Sequence, residues 1–387
     1  MRWTWAMLMA SWAANAQPMP LEELVCSLAI PMLETSGLAP YTNDVWITHN
    51  DGGGEPELYF FSQTDGHIVG NLKLNGAENV DWEELAFDQN GHLYVGDFGN
   101  NLNRRKELVI YKLKPEQIHP NGTETPEIIR FGFADQTSFP PKLSGWHYDV
   151  EAMVILHDSI HLFTKNRGKP FNGYTYRYVI PAQAGQWQAK KVDSLFLGTE
   201  GIREEFWVSS AYYDGTSQTL ALLTYQRLFL LSPWNGQTLA LVPKQTYRMG
   251  VLRQREALAF KDGKWWLTEE GNGYQRGHFY TLNLSPDTLY LLESEVEDEL
   301  VLKGFVTAPC RLAYEVFDQL GRRLMYGLDT DTVHGRLLRK WDVSESLPKG
   351  SFVLYVRCGQ QKQAFRFSKT RRRQSKATEN PAEEGKK

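Results

Sequence analysis

Asp81–Asn100 reads DWEELAFDQNGHLYVGDFGN. WEELAF is a short strand with Leu85 and Phe87 apolar, Gln89-Asn90-Gly91 is a turn signal, and HLYVGD is a second strand mixing aliphatic and aromatic residues. The pair predicts an antiparallel hairpin. The same pattern returns in Asp149–Gly168 (DVEAMVILHDSIHLFTKNRG) and Gln254–Gly273 (QREALAFKDGKWWLTEEGNG), and more weakly in Thr35–Gly53 and Val208–Arg227. Five copies at a spacing of roughly 45–70 residues predict a radial β-repeat with loops of varied length.

Further strands follow each hairpin. Third strands read ELYFFS (Glu57–Ser62), ELVIYKL (Glu107–Leu113), TYRYVI (Thr175–Ile180), LFLLS (Leu228–Ser232) and HFYTLNL (His278–Leu284). Fourth strands read IIRFGF, KKVDSLFL and KQTYRMGV. Four strands per unit is a propeller blade. The chain is therefore expected to be all-β: a β-propeller over 17–290, with five blades or six if a degenerate one is present. A small Ig-like β-sandwich follows over 291–370, where apolar positions alternate between turns. The bland alternative to the propeller is a sandwich with coincidental repeats. The tail, 371–387, is charged and nearly free of apolar residues, so it is expected to be disordered.

Composition agrees with many short strands around a core: 387 residues, 42% hydrophobic, 13% aromatic, 32 glycines. A net charge of -4 gives no case for a nucleic-acid partner or an anionic membrane surface. Arg2, the apolar run Trp3–Ala14 and Ala14-Asn15-Ala16 read as a signal peptide (1–16) cleaved near Ala16, so an exported protein is expected. Cys310 and Cys358 fall in one module and can pair in an oxidising compartment, leaving Cys26 over. No cysteine spacing suits zinc.

Aligning the five copies puts Ser36, Glu83, Glu151, Ser209 and Glu256 at the start of the first strand. His49, Asp97, Lys165, Tyr225 and Glu269 fall at the end of the second, each after a Thr or Gly. Antiparallel pairing puts both positions on one face, and a propeller's first strand lines the channel. All ten side chains are expected at one mouth, joined by loop residues that include Asn50, Asp51, Asn100, Arg167 and Glu270. The candidate ligand-binding set is Asn50, Asp51, Glu83, Asp97, Asn100, Glu151, Lys165, Arg167, Tyr225, Glu256 and Glu269. Converging glutamates repel one another, so at least one is expected to stay protonated at neutral pH unless a divalent cation or ion pairs with Lys165 and Arg167 relieve them. Glu83, Glu151 and Glu256 are the candidate metal ligands, and oxygen-only donors suit Ca2+ or Mg2+. His49, Asp97 and Glu269 are the candidates for acid–base catalysis. The competing expectation is structural: each Glu accepts backbone N–H groups and locks blade to blade. There is no G-x-S-x-G elbow, P-loop or H-E-x-x-H. Two functions stand: binding of a small molecule or glycan, or metal-dependent hydrolysis of a phosphate ester, lactone or glycan.

Two resemblances add to this. Val316–Arg322 (VFDQLGR), Asp342-Val343-Ser344, Leu347–Val356 (LPKGSFVLYV) and Phe365–Lys369 resemble the C-terminal sorting domain of type IX secretion substrates. That implies a Gram-negative source, the type IX machinery as partner, and release or anchoring at the cell surface. The module departs from the family in lacking Pro-Asn-Pro near Glu293–Leu300 and in carrying a basic tail. WITHND (Trp46–Asp51), DWEE (Asp81–Glu84), GDFGNN (Gly96–Asn101) with Arg104 or Arg105, and LLTY (Leu222–Tyr225) resemble mostly uncharacterised bacterial secreted propellers. This implies architecture more than activity. The pattern is also distantly similar to phytase-like esterase and lactonase propellers. A monomer is expected.

Overall fold

The computed structural model describes residues 21–370 except 243, 273, 285–287, 292–294 and 359–360. The expected signal peptide and charged tail lie outside the described residues. Among those described, there is no α-helix, and no helix is long and apolar enough to cross a membrane. The chain divides after Leu284 into two compact units, earlier than the boundary expected at 290.

The first unit begins with β1 (Leu21–Ser27). Five antiparallel quartets follow. The first is β2 (Thr35–Pro40), β3 (Val45–Asn50), β4 (Glu57–Ser62) and β5 (Ile68–Leu74). The second is β6 (Trp82–Phe87), β7 (Leu93–Asp97), β8 (Leu108–Leu113) and, after the short β9 (Asn121–Glu124), β10 (Glu127–Phe133). The third is β11 (Asp149–Leu156), β12 (Ser159–Lys165), β13 (Tyr174–Pro181) and β14 (Gly185–Phe196). The fourth is β15 (Val208–Asp214), β16 (Thr219–Thr224), β17 (Arg227–Leu231) and β18 (Lys244–Arg248). The fifth is β19 (Arg255–Lys261), β20 (Lys264–Glu269), β21 (His278–Asn283) and, as its outer strand, β1. A parallel pairing of β10 with β14 joins the second and third quartets into one eight-stranded sheet.

The first strands are neighbours in the cyclic order β2, β6, β11, β15, β19, and back to β2. Apolar layers fill every gap. Ile47 and Phe60 meet Leu85 and Val95; Tyr94 and Ile110 meet Met153 and Leu162; Val154 and Phe163 meet Ala211 and Leu222. Leu223 and Leu228 meet Leu258 and Leu267, and Ala257 and Trp266 meet Leu38 and Trp46. Strands buried on both sides read as near-continuous apolar runs, as in β11, buried throughout. The result is a propeller-like ring. Its closure is chemical as well as apolar: Glu22 on β1 takes the Arg255 guanidinium through two oxygens, with Nη2 to Oε2 at 2.8 Å. The Trp46 ring lies 5.1 Å from Trp266 and 5.3 Å from Phe279.

The second unit is one hydrogen-bonded sheet: β22 (Thr288–Leu291), β23 (Glu295–Val296), β24 (Glu299–Asp318), β25 (Arg323–Asp342), β26 (Gly350–Cys358) and β27 (Gln361–Lys369). The two long strands β24 and β25 pair along most of their length. Leu302, Leu312, Val316, Leu337, Leu354 and Phe367 belong to its core. The Cys310–Cys358 disulfide ties β24 to β26, and Cys26 is free and buried in the first unit.

Every first strand carries a β-bulge near its start. The extra residue is Gly37 in β2, Glu83 in β6, Glu151 in β11, Ser209 in β15 and Glu256 in β19. A bulge breaks the strict alternation of sides and re-aims the side chain. At Gly37 the backbone is left-handed, φ 58°. An added Cβ there would lie 2.5 Å from His49 Nε2, so glycine suits both torsion and space.

Candidate functional site

The bulged glutamates do converge. Burial raises the Glu83 carboxyl well above its usual range, and the charges of Glu151, Asp51 and Asp81 push it further. Glu151 lies within reach of Glu256 in the same sense. Side chains from the first, second, third and fifth quartets therefore share one mouth. Ser36 was expected in this column, but its hydroxyl donates to the Glu83 carbonyl at 2.8 Å, and the bulge of its strand falls on Gly37.

The mouth has two unlike corners. In the first, Glu151 and Lys165 are both buried, and Lys165 Nζ donates to Glu151 Oε2 at 2.9 Å. Lys165 also donates to the Tyr225 hydroxyl at 3.1 Å. Arg167 clamps Asp149 through Nε and reaches Glu151 Oε1 at 3.4 Å through Nη2. Burial works to lower the Lys165 pKa, but Glu151, Tyr225 and Glu256 overrule it and hold it well above the usual value. Trp207 lies under both Arg167 and Arg203, at 4.9 and 4.7 Å. Charge is balanced here: two carboxylates, two cations.

In the second corner Asp51, Asp81 and Glu83 each bring a carboxylate oxygen within 4.8 Å of the others. Glu83 is only 4% exposed, and none of the three makes an ion pair among the described residues. Burial and then Asp51 and Asp149 push Asp81 up to about 7, with Arg105 pulling the other way; Asp81 also shares a side-chain hydrogen bond with Asp51. The backbone is built close to these acids. A Cβ on Gly99 would meet Glu83 Oε1 at 2.2 Å and Asp81 Oδ2 at 2.4 Å. This buried acidic triad has the donor chemistry to bind a metal. It corrects the ligand set expected from the repeats: Glu83 belongs, whereas Glu151 is taken by Lys165 and Arg167. Glu256 is buried, which raises its pKa, while nearby Lys165 and then Tyr225 and Gln254 pull it back. Its neighbour Glu270, reached by Gln254 Nε2, is pushed up to about 9 by burial and the charges of Glu256 and Asp51.

The second-strand column is also corrected. His49 is fully buried, with its ring 5.4 Å from Trp82, Nδ1 bonded to the Asn50 carbonyl, and Nε2 without a partner. Burial lowers its pKa to about 4. It stands between quartets, away from the carboxyl cluster. Asp97 is held by Arg105 at 3.0 Å and accepts the Asp81 N–H at 3.0 Å. Glu269 is held by Arg253 at 3.0 Å and the Tyr280 hydroxyl at 2.8 Å. None of the three candidates for acid–base work is a free group at the mouth. Lys165 and Tyr225 of the same column do line the mouth, together with the expected loop residues Asp51 and Glu270. Adjacent strand residues face opposite sides, and Glu270 takes the mouth position directly after Glu269.

Two loop candidates are structural. The Asn100 N–H donates to Asp149, its Nδ2 donates to the Tyr148 carbonyl at 3.1 Å, and its Oδ1 accepts the Arg105 N–H. The GDFGNN segment thus stitches the second quartet to the third. Asn50 donates to the Pro31 carbonyl at 2.7 Å. Glu84 went unpredicted. It is fully buried and crosses the hub, accepting from the Ser210 hydroxyl at 2.7 Å and the Ala211 N–H at 2.8 Å. Past the bulges, the first strands of the first four quartets line an apolar hollow of about 90 Å³. The one sequence signal for Glu84 was its place directly after Glu83, because a bulge lets two successive residues both serve the hub.

No protein-family model matches this chain, and no curated protein matches it by sequence. Solved structures similar in fold include exo-β-1,3-galactanase from Phanerochaete chrysosporium. It is 10% identical with a TM-score of 0.43, over 90% of this chain and 99% of that one. A gluconolactonase from Xanthomonas campestris is 10% identical with a TM-score of 0.36, over 64% and 71%. BamB from Moraxella catarrhalis is 12% identical with a TM-score of 0.28, over 90% and 98%. These are likenesses of chain path, and no activity is taken from them.

Proposed function

We propose that this chain is an extracytoplasmic five-bladed β-propeller with a small Ig-like module, and that its mouth binds a divalent cation at Asp51, Asp81 and Glu83. The observation that carries this is Glu83: a buried carboxyl beside two others, with no hydrogen bond or ion pair to its oxygens among the described residues. Removing a carboxylate from water without a partner is costly, and a hard cation removes that cost. Oxygen donors alone favour calcium or magnesium over zinc. The bound cation anchors a small-molecule or glycan ligand in the mouth. Export is supported by the leader-like residues 1–16 and by the type IX resemblance of residues 316–369.

The experiment is thermal melting of the full chain with calcium, with magnesium and with chelator. Either cation should raise Tm, and Asp81→Asn with Glu83→Gln should abolish the rise. Identical melting under all three conditions removes the site. A second reading, hydrolysis, is favoured by one observation: Asp81 is held near neutrality and shares a hydrogen bond with Asp51, the condition for a general acid–base pair. Chromogenic phosphate esters, lactones and glycosides test it. Turnover with a pH profile centred near 7 that Asp81→Asn destroys supports hydrolysis; silence on all three classes leaves binding alone.

A further inference from the structure

The fifth-quartet side of the mouth has a different surface. Loops 28–34, 249–254 and 270–277 are stitched together there. The Leu28 N–H donates to the Gly277 carbonyl at 2.8 Å, the Gly271 N–H to Leu33 at 2.8 Å, and the Glu270 N–H to Gln254 at 3.1 Å. Each loop holds a large apolar or aromatic side chain out in solvent: Ile30 is 66% exposed, Val251 65% and Tyr274 99%. Beside them lie Glu256 and Glu270, which are repelled by Asp51 and, for Glu270, by Glu34, and are offset in part by Lys165. Arg253 is tied to Glu269, and Arg276 is the other basic residue of these loops. Apolar side chains exposed on three joined loops, beside a hollow rich in carboxyls, offer both apolar and charged contacts to a partner.

We infer that this corner docks a polypeptide segment of a partner protein, with one Arg or Lys entering toward Glu256 and Glu270 while its apolar neighbours rest on Ile30, Val251 and Tyr274. Charge complementarity selects the basic residue: Lys165 offsets Glu256 and Glu270 but is bonded to Glu151, so a further guanidinium or ammonium would balance the remaining carboxyl charge. The alkyl stem of such a residue also packs on apolar surface. The raised carboxyl of Glu270 is relieved by the same contact. The inference needs the mouth to be an open binding face, but it does not need a metal at Asp51, Asp81 and Glu83.

The test is selection of a random peptide display library on the immobilised full chain, followed by anisotropy titration of the enriched peptides. Enriched sequences should share a Lys or Arg between apolar residues. Glu256→Gln with Glu270→Gln should weaken them at least tenfold, as should Tyr274→Ala with Val251→Ser, while the calcium-induced rise in Tm persists in both variants. Enrichment without a basic position, affinity unchanged in both variants, or no enrichment overturns the inference. Binding on a glycan array that Tyr274→Ala abolishes would replace the peptide with a sugar. Concentration-dependent dimerisation lost in that variant would replace it with a second copy of this chain. Loss of the calcium response with peptide binding intact would remove the metal reading alone.

Discussion

Glu83 and Glu151 occupy the same place in successive repeats: both are bulged residues of a first strand and both are almost fully buried. Their surroundings are opposite. Glu151 is gripped by Lys165 and Arg167, whereas Glu83 faces Asp51 and Asp81. The difference teaches that position in a repeat does not assign a role. Glu151 has the ion pairs with Lys165 and Arg167 expected as the alternative to a cation, all within its own quartet; the blade-to-blade lock through a backbone N–H is made by Glu84 instead. At Glu83 the same residue type faces two other carboxyls and makes no ion pair among the described residues, which is the arrangement the proposed cation would relieve.

The contrast predicts that one substitution has opposite signs at the two positions. The largest effect should come from Glu151→Gln. It strands the buried Lys165 ammonium, and breaking a buried pair typically costs about 3–5 kcal/mol. Denaturant unfolding of the full chain measures it, and a loss under 1 kcal/mol would mean the pair is not holding the corner. Next comes the cation. If calcium binds the Glu83 corner, stabilisation at one hundred times its Kd should reach about 2.7 kcal/mol. The Asp81→Asn, Glu83→Gln protein should gain nothing, and Glu151→Gln should still respond.

The pH dependence follows from the same asymmetry. Asp81 is raised from 3.8 to about 7 and Glu270 from 4.5 to about 9, so the folded chain holds protons that the unfolded chain has released. Stability must therefore fall as pH rises through those windows. His49, His147 and His161, lowered from 6.5 to about 4 by burial, work in the other direction, with stability rising from pH 4 to 6.5. Above pH 6.5 the carboxyl effect stands alone. Tm without metal should fall between pH 6.5 and about 9, and saturating calcium should flatten the slope. A Tm that rises over that range would contradict the unpaired corner. The smallest effect is Glu83→Gln by itself: a gain of about 1 kcal/mol without metal, since one pKa unit relieved is worth about 1.4 kcal/mol. A loss would mean that Glu83, like Glu151, supports the fold.

The third strands were legible almost to the residue: ELYFFS is β4, and HFYTLNL contains β21. Burial on both sides of each strand writes itself into unbroken apolar runs between turns. Glu83, Glu151 and Glu256 were legible as one ring for the same reason. His49 and Glu269 were misread because facing alternates with every residue, and the bulges are set by pairing partners that no residue type announces. Glu84 stands directly after Glu83, but its bond across the hub to Ser210 joins residues far apart in the chain, so its partner could not be read from the sequence.

Local patterning alone was enough to specify five hairpin repeats and to put acids at their hub ends, because alternation and turn chemistry act over a few residues. Which acids are satisfied and which are left bare was settled only when the ring closed. Lys165 and Arg167 meet Glu151 and Asp149 across one hairpin, while Asp51, Asp81 and Glu83 meet across two quartets and make no ion pair among the described residues. Charge balance depends on distance in space, and the folded ring alone sets those distances.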